Sequence, residues 1–516
     1  MSMFSWKVVH GGKTPPPGAA VAPDERLSWG RTVGLGAQHV VAMFGATFVF
    51  PIIMGLNPQL AIMMSGIATI AFLLIVQGKV PSYLGTSASF VGGTLAIYAQ
   101  EGTPADVTGA ILVAGLVLAI VGVIIHVAGP GVLHAVLPPV VTGAVVMLIG
   151  FNLAPVVADI YWPQDQWAAL LVMLFVILVA VGVRGFLGRI AIFLGLLFGY
   201  ALSWVFDRVF GQITSFDAAA GKVTEHFRVN WDSVKAADWI GFPPHSDFAN
   251  GVVGWHMPSF NVGFVLLVLP AVIALIAENT GHVKAVAEMV NHDLDPVMGR
   301  AIAADGVGTM LASAVGGSPT TTYAENIGVM AATRVYSTAA YFVAALVAIV
   351  FGLSPKFGAV VAATPGGVLG GITVVLYGMI GLLGAKIWKE NRVDFANPIN
   401  LVPLAAGIII AIGNVTLVFT DTFSLSGIAL GTIVAVVGWH LARVVAPAEL
   451  QEALNKEGRY DDASDLGVKQ TGGRDSGART TKGKTPAETR SGPNGSRSGP
   501  SGNARSRPTK AVRRKR

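Results

Sequence analysis

The sequence contains no cysteine, which excludes disulfides, thiol catalysis and Cys-ligated structural metal sites. It has no Walker A run to cradle a nucleotide phosphate and no HExxH or clustered His pattern to hold a metal. Charge is scarce too: Asp, Glu, Lys and Arg make up 12% of 516 residues, about half the share usual in soluble domains. Hydrophobic residues fill the gap at 53%. Windows of 18 or more mostly apolar residues recur along the chain, enough for repeated membrane-crossing helices. These features point to an all-α polytopic membrane protein. Residues 1–25 are Pro-rich and polar and lack the basic-then-apolar order of a cleavable signal, so the first span is expected to direct insertion.

Apolar segments fall near 33–54, 59–77, 82–99, 108–127, 138–155, 168–183, 188–206, 260–280, 298–315, 319–333, 337–353, 358–382, 399–417 and 425–446, which makes fourteen expected spans. Cytoplasmic loops should hold the Lys and Arg. With both termini inside, the inner loops carry Lys79, Arg184, Arg189, Lys284, Arg300, Arg334, Lys386, Lys389 and Arg392. The short outer loops carry mainly Glu101, Asp106, Asp159, Asp165 and Asp421, with Lys356 the exception. An even number of spans with cytoplasmic termini satisfies this pattern. The connection 209–258 is mixed in charge and fixes no orientation.

Two spans are chemically unusual. The third opens with SYLGTSASFVGG (82–93) and the tenth with GGSPTTTYAENIG (316–328), both rich in Gly, Ser and Thr. Unwound backbone at membrane depth needs protein or a cavity to satisfy its N–H and C=O groups, so both should lie inside the bundle. They are the third span of each set of seven, the correspondence expected of inverted repeats whose broken elements meet at a substrate site. The spacing of Pro138, Val141 and Gly143 repeats in Pro365, Val368 and Gly370, a second trace of duplication. Three regions follow: an N-terminal cytoplasmic segment 1–30, a transporter domain 31–446 and a tail 447–516. From Val468 to Arg516 the tail holds fourteen Lys plus Arg against two acids, net +12. Its Gly, Ser, Pro and Arg content reads as a solvated, disordered, positive-inside segment. Nothing in it resembles a folded nucleic-acid module; the alternative reading is attraction of the basic tail to anionic lipid headgroups or nucleic acid.

Three acids, Glu278, Asp305 and Glu325, sit in or beside apolar spans. A charge at that depth costs at least about 2.5 kcal/mol, and such residues usually face a cavity and handle a solute or proton. Glu278 and His282, at i and i+4 in LIAENTGHVKA, share a helix face and form a candidate proton-exchanging pair. The alternative is that Glu278 caps the inner end of span eight. Glu325 follows the Ser/Thr-rich break, near the start of the next helix, where the dipole favours negative charge; there it could serve only the helix. Asp305, in IAADGVGTML, is either a proton-coupling acid or an inner-end cap. His39, beside Gln38 in span one, is more simply a hydrogen-bonded packing residue than a proton carrier. Tyr323 and Tyr377 need partners for their hydroxyls if buried. No cofactor or metal is required. Carboxyls that can take up and return a proton make H⁺ the natural coupling ion. No acidic DDxxD-type cluster or nucleophile–base pair supports an enzyme, and paired glutamates have the wrong sign for an anion channel.

At these residues the chain resembles the nucleobase cation symporter 2 (nucleobase ascorbate transporter) family, its uracil permease branch most closely. The matching stretches are AQHVVAMFGATFVFP, VPSYLGTSASF, AENTGHVKAVAEM, GGSPTTTYAENIGVMAATRVYS and VLYGMIG. The resemblance implies fourteen spans in two inverted seven-span repeats, with a core domain of spans 1–4 and 8–11 and a gate domain of spans 5–7 and 12–14. It also implies short antiparallel strands opening spans three and ten, with substrate bound between them and span eight. Glu278 is similar to the span-eight glutamate that bonds the pyrimidine, and Glu325 to the span-ten glutamate that contacts it. His282 looks like the proton-coupling neighbour, His39 like the polar residue behind the site, and Tyr377 like the gate tyrosine near Glu325. Ala88 replaces a Phe and Ala324 a Gly of the uracil permease pattern; both positions act there through backbone groups, and Tyr323 lies beside them. The function implied is proton-coupled uptake of uracil or a related pyrimidine by a homodimer in the cytoplasmic membrane. The alternative is a xanthine or uric acid permease, but such relatives typically carry Gln where this chain has Glu325.

Overall fold

A computed structural model of the chain describes residues 5–16, 18–129, 131, 137–217, 222–420 and 423–456. Asp421 and the basic tail from residue 457 lie outside the described residues.

The chain is mostly helical. The principal helices are α1 (Trp29–Ile53), α2 (Pro58–Ile75), α3 (Val91–Tyr98), α4 (Pro104–Ala128), α5 (Pro139–Phe151), α6 (Gln166–Gly182), α7 (Ala191–Phe210), α8 (Pro270–Val290), α9 (Asp295–Ser313), α10 (Ala324–Thr333), α11 (Thr338–Gly352), α12 (Gly366–Glu390), α13 (Pro398–Ile412), α14 (Gly427–Val445) and α15 (Ala448–Lys456). Each of the first fourteen overlaps one expected apolar segment. Among the described residues, eight helices are long and apolar enough to cross a membrane, or nine if the bent pair Thr338–Gly352 and Pro355–Ala362 counts as one span. The chain is therefore a multi-pass membrane protein. Its outer faces agree: Leu178, Val181, Val350, Leu441 and Val444 are exposed apolar residues that hydrocarbon, not water, would cover.

Local chemistry sets the helix starts. Asn57, Asp165 and Asn397 accept a backbone N–H in the first turns of α2, α6 and α13, and Thr103 with Asp106 forms a capping box on α4. Pro opens α2, α4, α5, α8 and α13, where its missing N–H costs nothing.

Small residues set how closely the helices approach. On α4 and α9, a Cβ added at Gly122 would lie 2.2 Å from the Ala303 nitrogen, one at Gly299 2.3 Å from the His126 nitrogen, and one at Gly306 2.5 Å from the Ala119 nitrogen. A second seam joins α5 to α12 through Gly150, Gly381, Gly143 and Gly384. Without a hydrophobic drive between helices in lipid, such backbone contact supplies the packing energy.

The short strands β1 (Lys7–Val8) and β2 (Glu25–Arg26) pair in the N-terminal segment. That segment docks on the helical body, with Trp6 Nε1 donating to Thr338 Oγ1 at 2.8 Å. β3 (Leu84–Thr86) lies at the start of the third apolar segment. In the 209–258 connection, β4 (Ile213–Asp217) and β5 (Lys222–His226) form a hairpin. Arg228 pins it, bonding Asp165 at 2.5 Å and Asp207 at 3.1 Å. β6 (Thr320–Thr322) opens the tenth apolar segment and pairs antiparallel with β3, in register Leu84↔Thr322, Gly85↔Thr321 and Thr86↔Thr320. Strands β7 (Thr416–Thr420) and β8 (Phe423–Ser426) form a last hairpin.

The first ten residues of the composition-defined tail are not free chain: they include α15. Leu450 and Leu454 pack on the main core, and Asn397 Nδ2 donates to the Leu450 carbonyl at 3.1 Å. Truncation after Lys456 should leave transport and expression intact, whereas truncation after Ala446 should lower thermal stability in detergent. Equal melting of the two would show that α15 contributes nothing.

Candidate functional site

The β3–β6 pair sits in the interior, every residue of both strands buried. Its outward backbone groups are satisfied by two threonines. Thr69 of α2 accepts from the Leu84 N–H at 2.9 Å, and Thr309 of α9 donates to the Thr320 carbonyl at 2.8 Å. The ladder continues past the strands, with the Ser87 N–H donating to the Pro319 carbonyl and the Tyr323 N–H to the Tyr83 carbonyl. Such pairing permits extended backbone away from water.

Each strand runs into a helix. After β3 comes a tight turn, Ala88–Phe90, and then α3; after β6 comes α10, with Glu325 in its first turn. The N–H groups of a first turn have no intrahelical acceptor, so α10 presents donors where Glu325 begins. Ala324 is exposed, and Ala88 and Glu325 are half-buried, although all three lie beside a fully buried ribbon. Gly281 on α8 is also exposed, and a Cβ added there would meet nothing within 4 Å. Small residues thus border open space at the crossing of the two broken spans.

Glu278 projects from the middle of α8, a helix extending twelve residues beyond it, so it is not an end cap. It is half-buried and within electrostatic range of both Asp305 and Glu325. Asp305 likewise lies within α9, 0% exposed, and the capping alternative fails for it as well. It accepts from Asn279 Nδ2 at 2.7 Å. Among the described residues, no Lys or Arg pairs with any of the three acids.

The i, i+4 spacing of Glu278 and His282 does not give a direct hydrogen bond. His282 Nδ1 meets Thr322 Oγ1 at 2.7 Å instead, because β6 passes beside α8. His39 lies behind α10, 1% exposed; its carbonyl accepts from Asn326 Nδ2 at 2.9 Å, and its ring lies 4.4 Å from that of Tyr341. The packing reading of His39 fits this geometry. Tyr323 is buried between the broken spans, accepting from Thr47 Oγ1 at 3.1 Å and donating to the Thr86 carbonyl at 2.7 Å. Gly85 makes room for it: a Cβ there would come within 2.5 Å of the Tyr323 ring. Tyr377 is buried on α12 against Phe50, its hydroxyl without a hydrogen-bond partner among the described residues and without a bond to Glu325. A cavity of about 140 Å³ lined by Glu325, Ala46, Phe193, Leu376 and Met379 separates α10 from α7 and α12; Glu278 and Tyr377 do not line it.

Sequence reasoning missed Asn279, Thr322, Thr69, Thr309 and Asn326, which bind the ribbon and the acids together. The available signal was their polarity inside apolar segments, since a polar side chain at that depth needs a partner.

A multi-pass helical protein with acids, one buried and two half-buried, at the crossing of two interrupted spans belongs to the transporter class. Residues 30–420 match the xanthine/uracil permease model, described as "Permease family". The putative pyrimidine permease RutG of Escherichia coli is 42% identical over 443 residues, covering 84% of this chain and 95% of that protein. The uracil permease of Bacillus caldolyticus is 34% identical, covering 84% and 95%. The chain belongs to the nucleobase cation symporter 2 family; it is a permease, not an enzyme. The solved structure of SLC26A9 shares the fold at a TM-score of 0.54 and 11% identity, covering 80% of this chain and 65% of that one.

Proposed function

We propose that the protein carries uracil or a related pyrimidine into the cell together with H⁺, as a homodimer in the cytoplasmic membrane with both termini inside. The observation that carries the reading is the placement of Glu278 and Glu325 on the two helices flanking the β3–β6 ribbon, Glu325 lining a cavity and neither acid paired with a cation among the described residues. Uracil presents N–H donors and carbonyl acceptors. An ionised glutamate can accept from an N–H, and a protonated one can donate to a carbonyl, so protonation decides whether the site matches its ligand. The orphan N–H groups at Ala324 and the turn at Ala88 add donors for carbonyl oxygens. His282 serves proton exchange beside Glu278, and Tyr323, buried between the strands, positions the Ala88 and Ala324 turns. His39 supports α10 from behind, and Tyr377 belongs to the gate.

The architecture proposed is fourteen spans in two inverted seven-span repeats, α1–α14 taken in order. Helix pairings support it. α4 packs on α9, and the counterparts α11 and α2 pack on each other; α5 packs on its own counterpart α12. Thr69 and Thr309 hold equivalent ribbon edges from the equivalent helices α2 and α9. Core (α1–α4, α8–α11) and gate (α5–α7, α12–α14) then meet near Glu325, and rocking of one against the other would expose the site to each side in turn.

Uptake of labelled uracil by cells expressing the protein tests the reading, with unlabelled uracil, thymine, xanthine and uric acid as competitors. Competition by the pyrimidines alone is expected. Competition by xanthine at equal concentration would move the assignment to a purine, and absence of uracil uptake at normal expression would overturn it.

A further inference from the structure

Behind the ribbon, four side chains form one continuous hydrogen-bonded line. His282 Nδ1 meets Thr322 Oγ1 at 2.7 Å, Thr322 Oγ1 donates to Asn279 Oδ1 at 3.0 Å, and Asn279 Nδ2 donates to Asp305 Oδ2 at 2.7 Å. The line joins β6 to α8 and α9. Asn279, Asp305 and Thr322 are 0%, 0% and 2% exposed, so water does not compete along it.

The line has a direction. Asn279 Nδ2 also donates to the Leu275 carbonyl at 2.9 Å, and a carbonyl can only accept. Turning the amide over would set its oxygen against the Leu275 carbonyl and the Asp305 carboxyl together. Asn279 Oδ1 must therefore face Thr322 and take its one hydroxyl proton. With that proton committed, Thr322 Oγ1 can only accept from His282, so Nδ1 must carry the hydrogen. An amide does not pass a proton along by hopping, so the line orients groups and does not conduct. His282 Nε2 has no hydrogen-bond partner among the described residues, and the ring is half-buried.

We propose that Asp305, Asn279 and Thr322 are positioning residues that lock the neutral His282 ring in its Nδ1–H tautomer, leaving Nε2 as the only nitrogen through which it exchanges a proton or accepts a hydrogen bond. Asp305 then acts as the anchor of an orienting line and not as a carrier of transported H⁺. Which tautomer a histidine holds is set by the bond its other nitrogen makes; here that bond is dictated two residues away. The functional consequence rests on the uptake reading above, but the tautomer does not.

The test is ¹⁵N NMR of histidine-labelled full-length protein in nanodiscs without substrate, the His282 signal being identified by its loss in His282→Gln. The wild type is expected to show a neutral ring protonated at Nδ1. Thr322→Val should release the lock and populate the Nε2–H form, and Thr322→Ser should restore Nδ1–H. Asn279→Leu is the decisive variant: Asn279 makes no hydrogen bond to His282, yet its loss frees the Thr322 proton to turn toward Nδ1 and should convert the ring to Nε2–H. In uptake assays Thr322→Val should lose at least about tenfold in rate and Thr322→Ser should recover it. A wild-type ring protonated at Nε2, or a tautomer unmoved by both Thr322→Val and Asn279→Leu, would overturn the proposal. A correct tautomer without uracil uptake would leave it standing and count against the substrate instead.

Discussion

Glu325→Gln should abolish gradient-driven accumulation of uracil while the protein reaches the membrane in normal amounts. Gln keeps the shape and one acceptor oxygen of the carboxyl but cannot bind and release a proton. Each pH unit across the membrane can drive about a tenfold accumulation when one H⁺ moves with each substrate, because one unit corresponds to about 1.4 kcal/mol. Glu325→Gln should lose this entire factor. Folding should survive, because Glu325 is half-buried, lies in the first turn of α10 and has no ion-pair partner that the change would strand. Accumulation is measured in energised cells or vesicles, with surface expression as the control. Full accumulation by the mutant would remove Glu325 from the coupling.

Gly122→Leu should prevent folding. The α4–α9 seam closes on backbone atoms, and even the first carbon of a side chain at Gly122 would sit 2.2 Å from the Ala303 nitrogen and 2.6 Å from its Cα. Backbone cannot rotate aside as a side chain does. Overpacking of a tight core costs about 1–3 kcal/mol even where rearrangement is possible; here α4 and α9 would have to separate, disturbing the Asp305 and Thr309 contacts on the same helix. Monodisperse, detergent-extracted protein should fall to a small fraction of wild type in size-exclusion profiles. Gly30→Ala is the control, since a Cβ there meets nothing within 4 Å. A monodisperse Gly122→Leu protein with wild-type melting would show that the seam is not the contact that holds these helices.

Much of this was legible in the sequence because lipid imposes simple rules. Apolar length marked the helices, and the Gly/Ser/Thr openings at 82–93 and 316–328 marked the two places where helix fails and strand begins. The three acids stood out by their cost in such surroundings. What could not be read was pairing across the chain. Periodicity put Glu278 and His282 on one face of α8, but the bond His282 makes depends on β6, forty residues on, lying beside it. Asp305 looked like a possible cap because a helix boundary is weakly encoded; its place inside the bundle shows only in three dimensions, where Asn279 of α8 donates to it. Arg228 was hidden in a connection of mixed charge, where composition cannot tell a loose loop from one pinned to Asp165 and Asp207.

The central claim is that Glu278 and Glu325 hold the nucleobase and its proton in one site. The most direct measurement is proton uptake on substrate addition: purified protein in weakly buffered detergent solution, a pH-sensitive dye and stepwise uracil. The account predicts saturable proton binding that tracks uracil occupancy, absent in Glu325→Gln and absent when uracil-free buffer alone is added. Saturable uracil binding with no change in bulk proton concentration at any pH between 5 and 8 would contradict it.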